Sequence, residues 1–240
     1  MRNRSFSHIY QIARRELVTS FHGPVAYILL VLYVVISAYF FTSGLIETQE
    51  ASLRSFFSMM PIVFLVIIPG VSMRLLAEER KSGTLELLVT LPVRDWEVVL
   101  GKFLAGAAFL VALLLASIAF PITVAWLGDP DWGPIWGGYI ALLLLGGSFL
   151  SIGIFASSLT RNQVVALVIS FVICLLLLVI AGSANYIPGF FGDLLVQLSL
   201  ATHFSNISRG VLDTRDLLYY FSVMIFFLHL TTQSLAARKQ

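Results

Sequence analysis

The sequence predicts an all-α polytopic membrane protein with six transmembrane helices, on three observations. Of its 240 residues 58% are hydrophobic and only 12% charged, with a mean hydropathy of +0.92, a balance outside the range of soluble globular domains. Six uncharged runs, 24–46, 55–73, 103–128, 132–160, 162–192 and 217–237, are each long enough for one crossing of about 20 residues. Backbone groups in hydrocarbon must be paired within their own segment, so these runs are helices. Third, the basic residues are asymmetric. With both termini cytoplasmic, 12 of the 15 Lys and Arg fall in inner segments, while the acids split nearly evenly, which is a positive-inside pattern. The chain is read as one transmembrane domain over 1–240, with spans at about 24–46, 56–74, 103–127, 136–158, 164–183 and 216–236.

Residues 1–23 precede the first run. Phe6, Ile9, Tyr10, Ala13, Leu17 and Phe21 recur at helical spacing, with Arg4, Ser7, Gln11, Arg14 and Arg15 opposite. That is an amphipathic helix suited to the membrane surface. Gly23-Pro24 then turns the chain into the bilayer, and the first span is too long for the core of a cleavable signal peptide. Pro61, Pro69 and Pro121 are expected to kink their helices or to free a backbone carbonyl. Trp126, Trp132 and Trp136 surround the outer turn Asp129-Pro130-Asp131, as an aromatic belt does. The fourth run is rich in Gly and Ser, from Gly146 to Ser158, and close helix packing accounts for that. The fifth is too long for one crossing. Its tail and the mixed stretch that follows, 184–214, form an outer helical hairpin that is re-entrant or interfacial, ahead of the last span.

The longest polar interruption lies between spans two and three, with 75–97 as its centre. Leu85, Leu87, Leu88 and Leu91 keep helical spacing among Glu78, Glu79, Arg80, Lys81 and Glu86. Gly83 suits a left-handed cap, Thr84 an N-cap, and Pro92 ends the piece. By residues alone this is either a short docking helix or a solvated charged loop.

The run Glu78-Glu79-Arg80-Lys81-Ser82-Gly83-Thr84-Leu85-Glu86-Leu87-Leu88, then Thr90-Leu91-Pro92-Val93, resembles the signature of ABC-2 type transporter permeases. His203-Phe204, Ile207, Ser208-Arg209-Gly210-Val211, Asp213 and Arg215-Asp216 resemble the subclass tied to gliding motility and nitrous-oxide-reductase maturation. The resemblance implies a bacterial inner-membrane permease subunit, working as a homodimer or heterodimer in the lipid bilayer. It makes 78–92 the cytoplasmic coupling helix that docks on a separate ABC ATPase, which binds the ATP and magnesium. Glu78, Glu79, Arg80 and Glu86 then set orientation, and the leucines fill the ATPase groove. Its function is export or transmembrane movement of a substrate. The alternative is a subunit that passes ATP-driven closure to a periplasmic or accessory membrane protein without moving a solute; 184–216 is then the output, with His203, Arg209, Asp213, Arg215 and Asp216 its candidate residues.

Other chemistry is not encoded. No phosphate loop or H-E-x-x-H motif occurs, so the chain is read as non-catalytic, with no cofactor or metal of its own. Paired Glu78-Glu79 lack the arginine of an intramembrane glutamate protease, because position 83 is glycine. Cys174 is a single cysteine inside an apolar run, and a net charge of +2 gives no argument for nucleic acid. An ion-coupled carrier would bury charges within its spans, and the six runs carry none at depth. His229 stands in the last run without an acidic partner in sequence.

Overall fold

A computed structural model describes residues 2–82, 94–184 and 189–237. Among them are eleven helices and no strand: α1 (Arg2–His22), α2 (Pro24–Thr48), α3 (Arg54–Ser72), α4 (Arg74–Ser82), α5 (Asp95–Ala116), α6 (Ala119–Leu127), α7 (Trp132–Leu159), α8 (Gln163–Ala184), α9 (Phe190–Gln197), α10 (Leu200–Ser208) and α11 (Thr214–Ala236). Six helical stretches are long and apolar enough to cross a membrane: α2, α3 with α4, α5 with α6, α7, α8 and α11. The six-span fold class read from the runs is therefore the one observed.

The bundle is built around α7, which packs against α3, α5, α8, α10 and most extensively α11. Small residues make this close approach possible. Gly138 lies under the ring of Phe57, Gly146 under Leu110 and Phe64, Gly147 under Met224, and Gly153 against Ser72. In return Gly106 of α5 accepts Leu150. Exposed apolar side chains lie instead on α2 (Tyr27, Val31, Val35) and α8 (Val168, Val172, Val179).

Two spans are broken. Pro121 has no N–H to offer Ser117, four residues earlier, and the helix interrupts at Ser117–Ile118 between α5 and α6. The Ser117 carbonyl accepts instead from the Phe120 N–H at 3.0 Å and from the Tyr139 hydroxyl of α7 at 2.9 Å. Tyr33 of α2 donates to the Ser117 hydroxyl at 3.2 Å. Between α3 and α4 the chain breaks at Met73, four residues past Pro69. The apolar run 103–128 thus belongs to two helices, the first of which already begins at Asp95.

The amphipathic N-terminal stretch is a helix, but part of its apolar side rests on protein. Ala13 is buried, and Ile9 and Ile12 lie over Gly101 of α5, where a Cβ would meet Ile12 at 2.7 Å. Tyr10, Arg14 and Arg15 are exposed.

Candidate functional site

The α4 end of the bundle carries the residues singled out ahead of the docking segment. α4 begins right after a helix break, so its first N–H groups have no partner within the helix. One side chain satisfies them from α7: the Ser157 hydroxyl accepts from Leu76 N–H (3.1 Å) and Ala77 N–H (2.8 Å) and donates to the Met73 carbonyl (2.9 Å). A hydroxyl can serve as acceptor and donor at once, so a single serine closes both sides of the break. Leu75, Leu76 and Ala77 are buried beside it.

From this anchored turn the charged side chains diverge. Glu78 is exposed and pairs one turn back with Arg74 at 3.6 Å. Arg80 donates to the Ser158 carbonyl at the end of α7. Glu79 points inward and meets Lys102 of α5 at 2.9 Å. The Lys102 side chain is 1% exposed; its amine also reaches Glu16 of α1 at 3.3 Å and donates to the Leu75 carbonyl. At the start of α5, Glu97 is buried, accepts from the Arg94 N–H at 3.2 Å, and lies 3.4 Å from His8 of α1. Gly83, Thr84, Leu85, Glu86, Leu87, Leu88, Leu91 and Pro92 lie outside the described residues.

Lys102, Glu16 and Ser157 were not among the sequence candidates. Lys102 stands in the sequence at the junction of charged and apolar segments, with no local signal that it turns inward. Its partners are 23 and 86 residues away, so only the fold reveals the cluster.

At the opposite end the segment before the last span holds two short helices, α9 and α10. His203 and Asp216, 13 residues apart, come together with Nδ1 2.5 Å from Oδ1. The other ring nitrogen of His203 lies 2.9 Å from the Gln197 carbonyl, and the imidazole stacks on Tyr219 with ring centres 4.0 Å apart. Asp216 is buried, and its second carboxylate oxygen has no hydrogen-bond partner among the described residues. Tyr220 donates to the Leu200 carbonyl at 2.9 Å. Asp213 caps α11, accepting from the Arg215 N–H at 2.9 Å. Arg209 and Arg215 are exposed. The expected cluster therefore divides: the half-buried His203 and the buried Asp216 form one pair, Asp213 a local cap, and the arginines stay outside. His229 of α11 has Gln233 as neighbour, at 2.9 Å.

Beside α10 opens a cavity of about 1060 Å³. Its wall is mixed, with Arg54, Arg209, Asp129 and Asp131 above Phe57 and Phe204. Among the described residues no group of three His, Cys, Asp or Glu side chains is placed to hold a metal ion.

A family model described as an ABC-2 family transporter protein matches residues 8–236. The chain is also 25% identical over 159 residues to the probable multidrug ABC transporter permease YbhR of Escherichia coli strain K12, and equally to that of Escherichia coli O157:H7. Each alignment covers 65% of this chain and 42% of the relative, so the chain matches less than half the length of these curated relatives.

Proposed function

The chain belongs to the ABC-2 family of transporter proteins, and from that premise we propose that it is the non-catalytic permease subunit of a bacterial inner-membrane ABC transporter. In this reading it pairs with a second permease, and a separate ATPase binds the ATP and magnesium. The α4 end faces the cytoplasm, and segment 83–93 docks on the ATPase through Leu85, Leu87, Leu88 and Leu91, with Glu78, Arg80 and Glu86 at the rim. The observation that carries the reading is the anchorage of α4. Helix α4 leads directly into this segment, and Ser157, Arg80 and Glu79 bind it to α7 and α5. Closure of the ATPase then shifts α3, α5 and α7 together instead of bending a loose loop, and the cavity beside α10 would open or close in response. The multidrug label of the Escherichia coli relatives agrees with export as the outcome.

The test is Leu88→Asp. An unpaired charge in a desolvated interface typically costs about 2–5 kcal/mol, roughly a 30- to 4000-fold loss of affinity. The variant should insert normally yet no longer copurify with its ATPase, whereas Lys81→Ala, at an exposed position, should bind nearly as well as wild type. Full association of Leu88→Asp would remove the docking role of the segment.

A second reading rests on the His203–Asp216 pair, which fastens α10 to the last span. Movement of α11 would carry α9 and α10 with it and could act on a periplasmic partner, as the motif at 203–216 suggests for the gliding-motility and nitrous-oxide-reductase-maturation subclass. Native copurification followed by mass spectrometry separates the two: a stoichiometric periplasmic protein supports the second, bound small molecules or lipids the first.

A further inference from the structure

We propose that Lys102 is a positioning residue that locks α1, α4 and α5 into one moving body, so that force arriving at segment 83–93 reaches the N-terminal helix and the third span in step. The proposal rests on the docking reading given above and adds to it the internal path of the motion.

Lysine carries three N–H donors, and all three are matched here: Glu79 Oε1 at 2.9 Å, Glu16 Oε2 at 3.3 Å, and the Leu75 carbonyl. The acceptors come from α4 and α1, while the lysine itself belongs to α5. The main packing of α4 is with α7, α3 and α8, and that of α1 is with α5 and α2. The ammonium therefore ties α4 to α1 at this end, where backbone packing between them is sparse. Its side chain is 1% exposed, against 23% for each carboxylate, so the cation lies deepest and the acids close over it.

A charge so placed is a poor choice for cohesion alone. Desolvating a buried ion pair offsets most of its attraction, and an apolar replacement of like volume often holds a fold as well or better. What the ammonium adds is direction. It is fully bound only when Glu16, Glu79 and the first turn of α4 hold one arrangement, and displacing α4 alone carries Glu79 and the Leu75 carbonyl away from the ammonium, leaving Lys102 with Glu16 alone and Glu79 without its cation. Glu79 lies three residues, about 4.5 Å along a helix, from the last described residue of α4, so it is the lock nearest to the docking segment.

The experiment compares wild type, Lys102→Arg, and a charge-free triple variant carrying Lys102→Met, Glu16→Gln and Glu79→Gln, which removes the cation without stranding its partners. Spin labels at the exposed Thr19 (α1) and Lys81 (α4) report the separation of the two helices, with and without the ATPase captured by the wild-type chain and ATP. Wild type and Lys102→Arg should give one narrow distance that ATP leaves unchanged. The triple variant should insert and still capture the ATPase, but show a broadened distance and a permease-dependent hydrolysis rate lower by about 5- to 150-fold, the usual range of coupling between sites. A narrow distance and wild-type hydrolysis in the triple variant would overturn the proposal. So would failure of that variant to insert, since the charges would then be needed for folding. If wild type itself captures no ATPase, the docking reading is what fails, and the distance distributions still decide whether the lock exists.

Discussion

At the scale of single residues, the informative positions are those where one side chain or its absence serves two helices. Ser157 is such a residue, because its one hydroxyl bonds Leu76 N–H, Ala77 N–H and the Met73 carbonyl. Ser157→Ala should destabilise the detergent-solubilised protein by about 1–3 kcal/mol, the cost of leaving buried polar groups unpaired. Ser222→Ala, whose hydroxyl among the described residues bonds only the Tyr219 carbonyl three residues back, should leave the melting temperature unchanged. Glycines divide in the same way. A Cβ on Gly137 would run into the Ile207 carbonyl and, at 2.9 Å, the backbone of Gly210, which cannot rotate aside. On Gly182 it would meet nothing. Gly137→Ala should thus lower the melting temperature and loosen α10, measured as faster proteolysis there, and Gly182→Ala should do neither. The sequence shows that the fourth run is rich in small residues, but not which glycine meets backbone and which meets a pliable side chain. Nor does it show that Lys102 turns inward, since a lysine at the edge of an apolar run serves equally well at the headgroups.

Elements were legible where apolar length decides and obscure where a side chain from elsewhere decides. All six spans follow from runs of about 20 apolar residues. The break at Ser117–Ile118 does not, because hydropathy continues straight through it. Its one local signal is Pro121, and the groups that make the break tolerable, Tyr33 and Tyr139, come from other helices. The segment before the last span was recognisable as mixed and helical, while its fastening was hidden by a separation of 13 residues. That fastening sets an order among variants. His203→Ala removes the hydrogen-bond partner of the buried Asp216 carboxylate and should cost about 1–3 kcal/mol, the penalty for leaving a buried polar group unpaired. Asp216→Asn keeps a polar partner for the imidazole and should cost less. Arg209→Ala, at an exposed site, should change stability by less than about 1 kcal/mol. A thermal-unfolding series would show the ranking, and equal losses for all three would mean that His203 and Asp216 are not coupled.

On the scale of the whole molecule, the fold class and the family were both readable, the first from hydropathy and the second from a contiguous motif whose greater part, 83–93, lies outside the described residues. Orientation remains a prediction from charge. In a Cys174-free background, single cysteines at Thr48, Trp132 and Asp193 should react with an impermeant thiol reagent in intact cells, and those at Ser5, Ser82 and Gln240 should not. Labelling of Ser82 from outside would invert the protein and remove the docking assignment with it. The central position of α7 also bears on how the protein is made. Its most extensive partner, α11, is synthesised after every other described helix, and Met224 of α11 covers Gly147. While the ribosome is still translating 160–213, the part of α7 around Gly147 has no permanent cover, although α3 and α5 already cover Gly138, Gly146 and Gly153, and it must be shielded by lipid or by the insertion machinery. A chain stopped at Gly210 should therefore reach the membrane with five spans in place and then be degraded rapidly in a pulse-chase experiment. Supplying α11 as a separate peptide should slow that decay, because it restores the one surface that a nascent five-span bundle cannot make for itself.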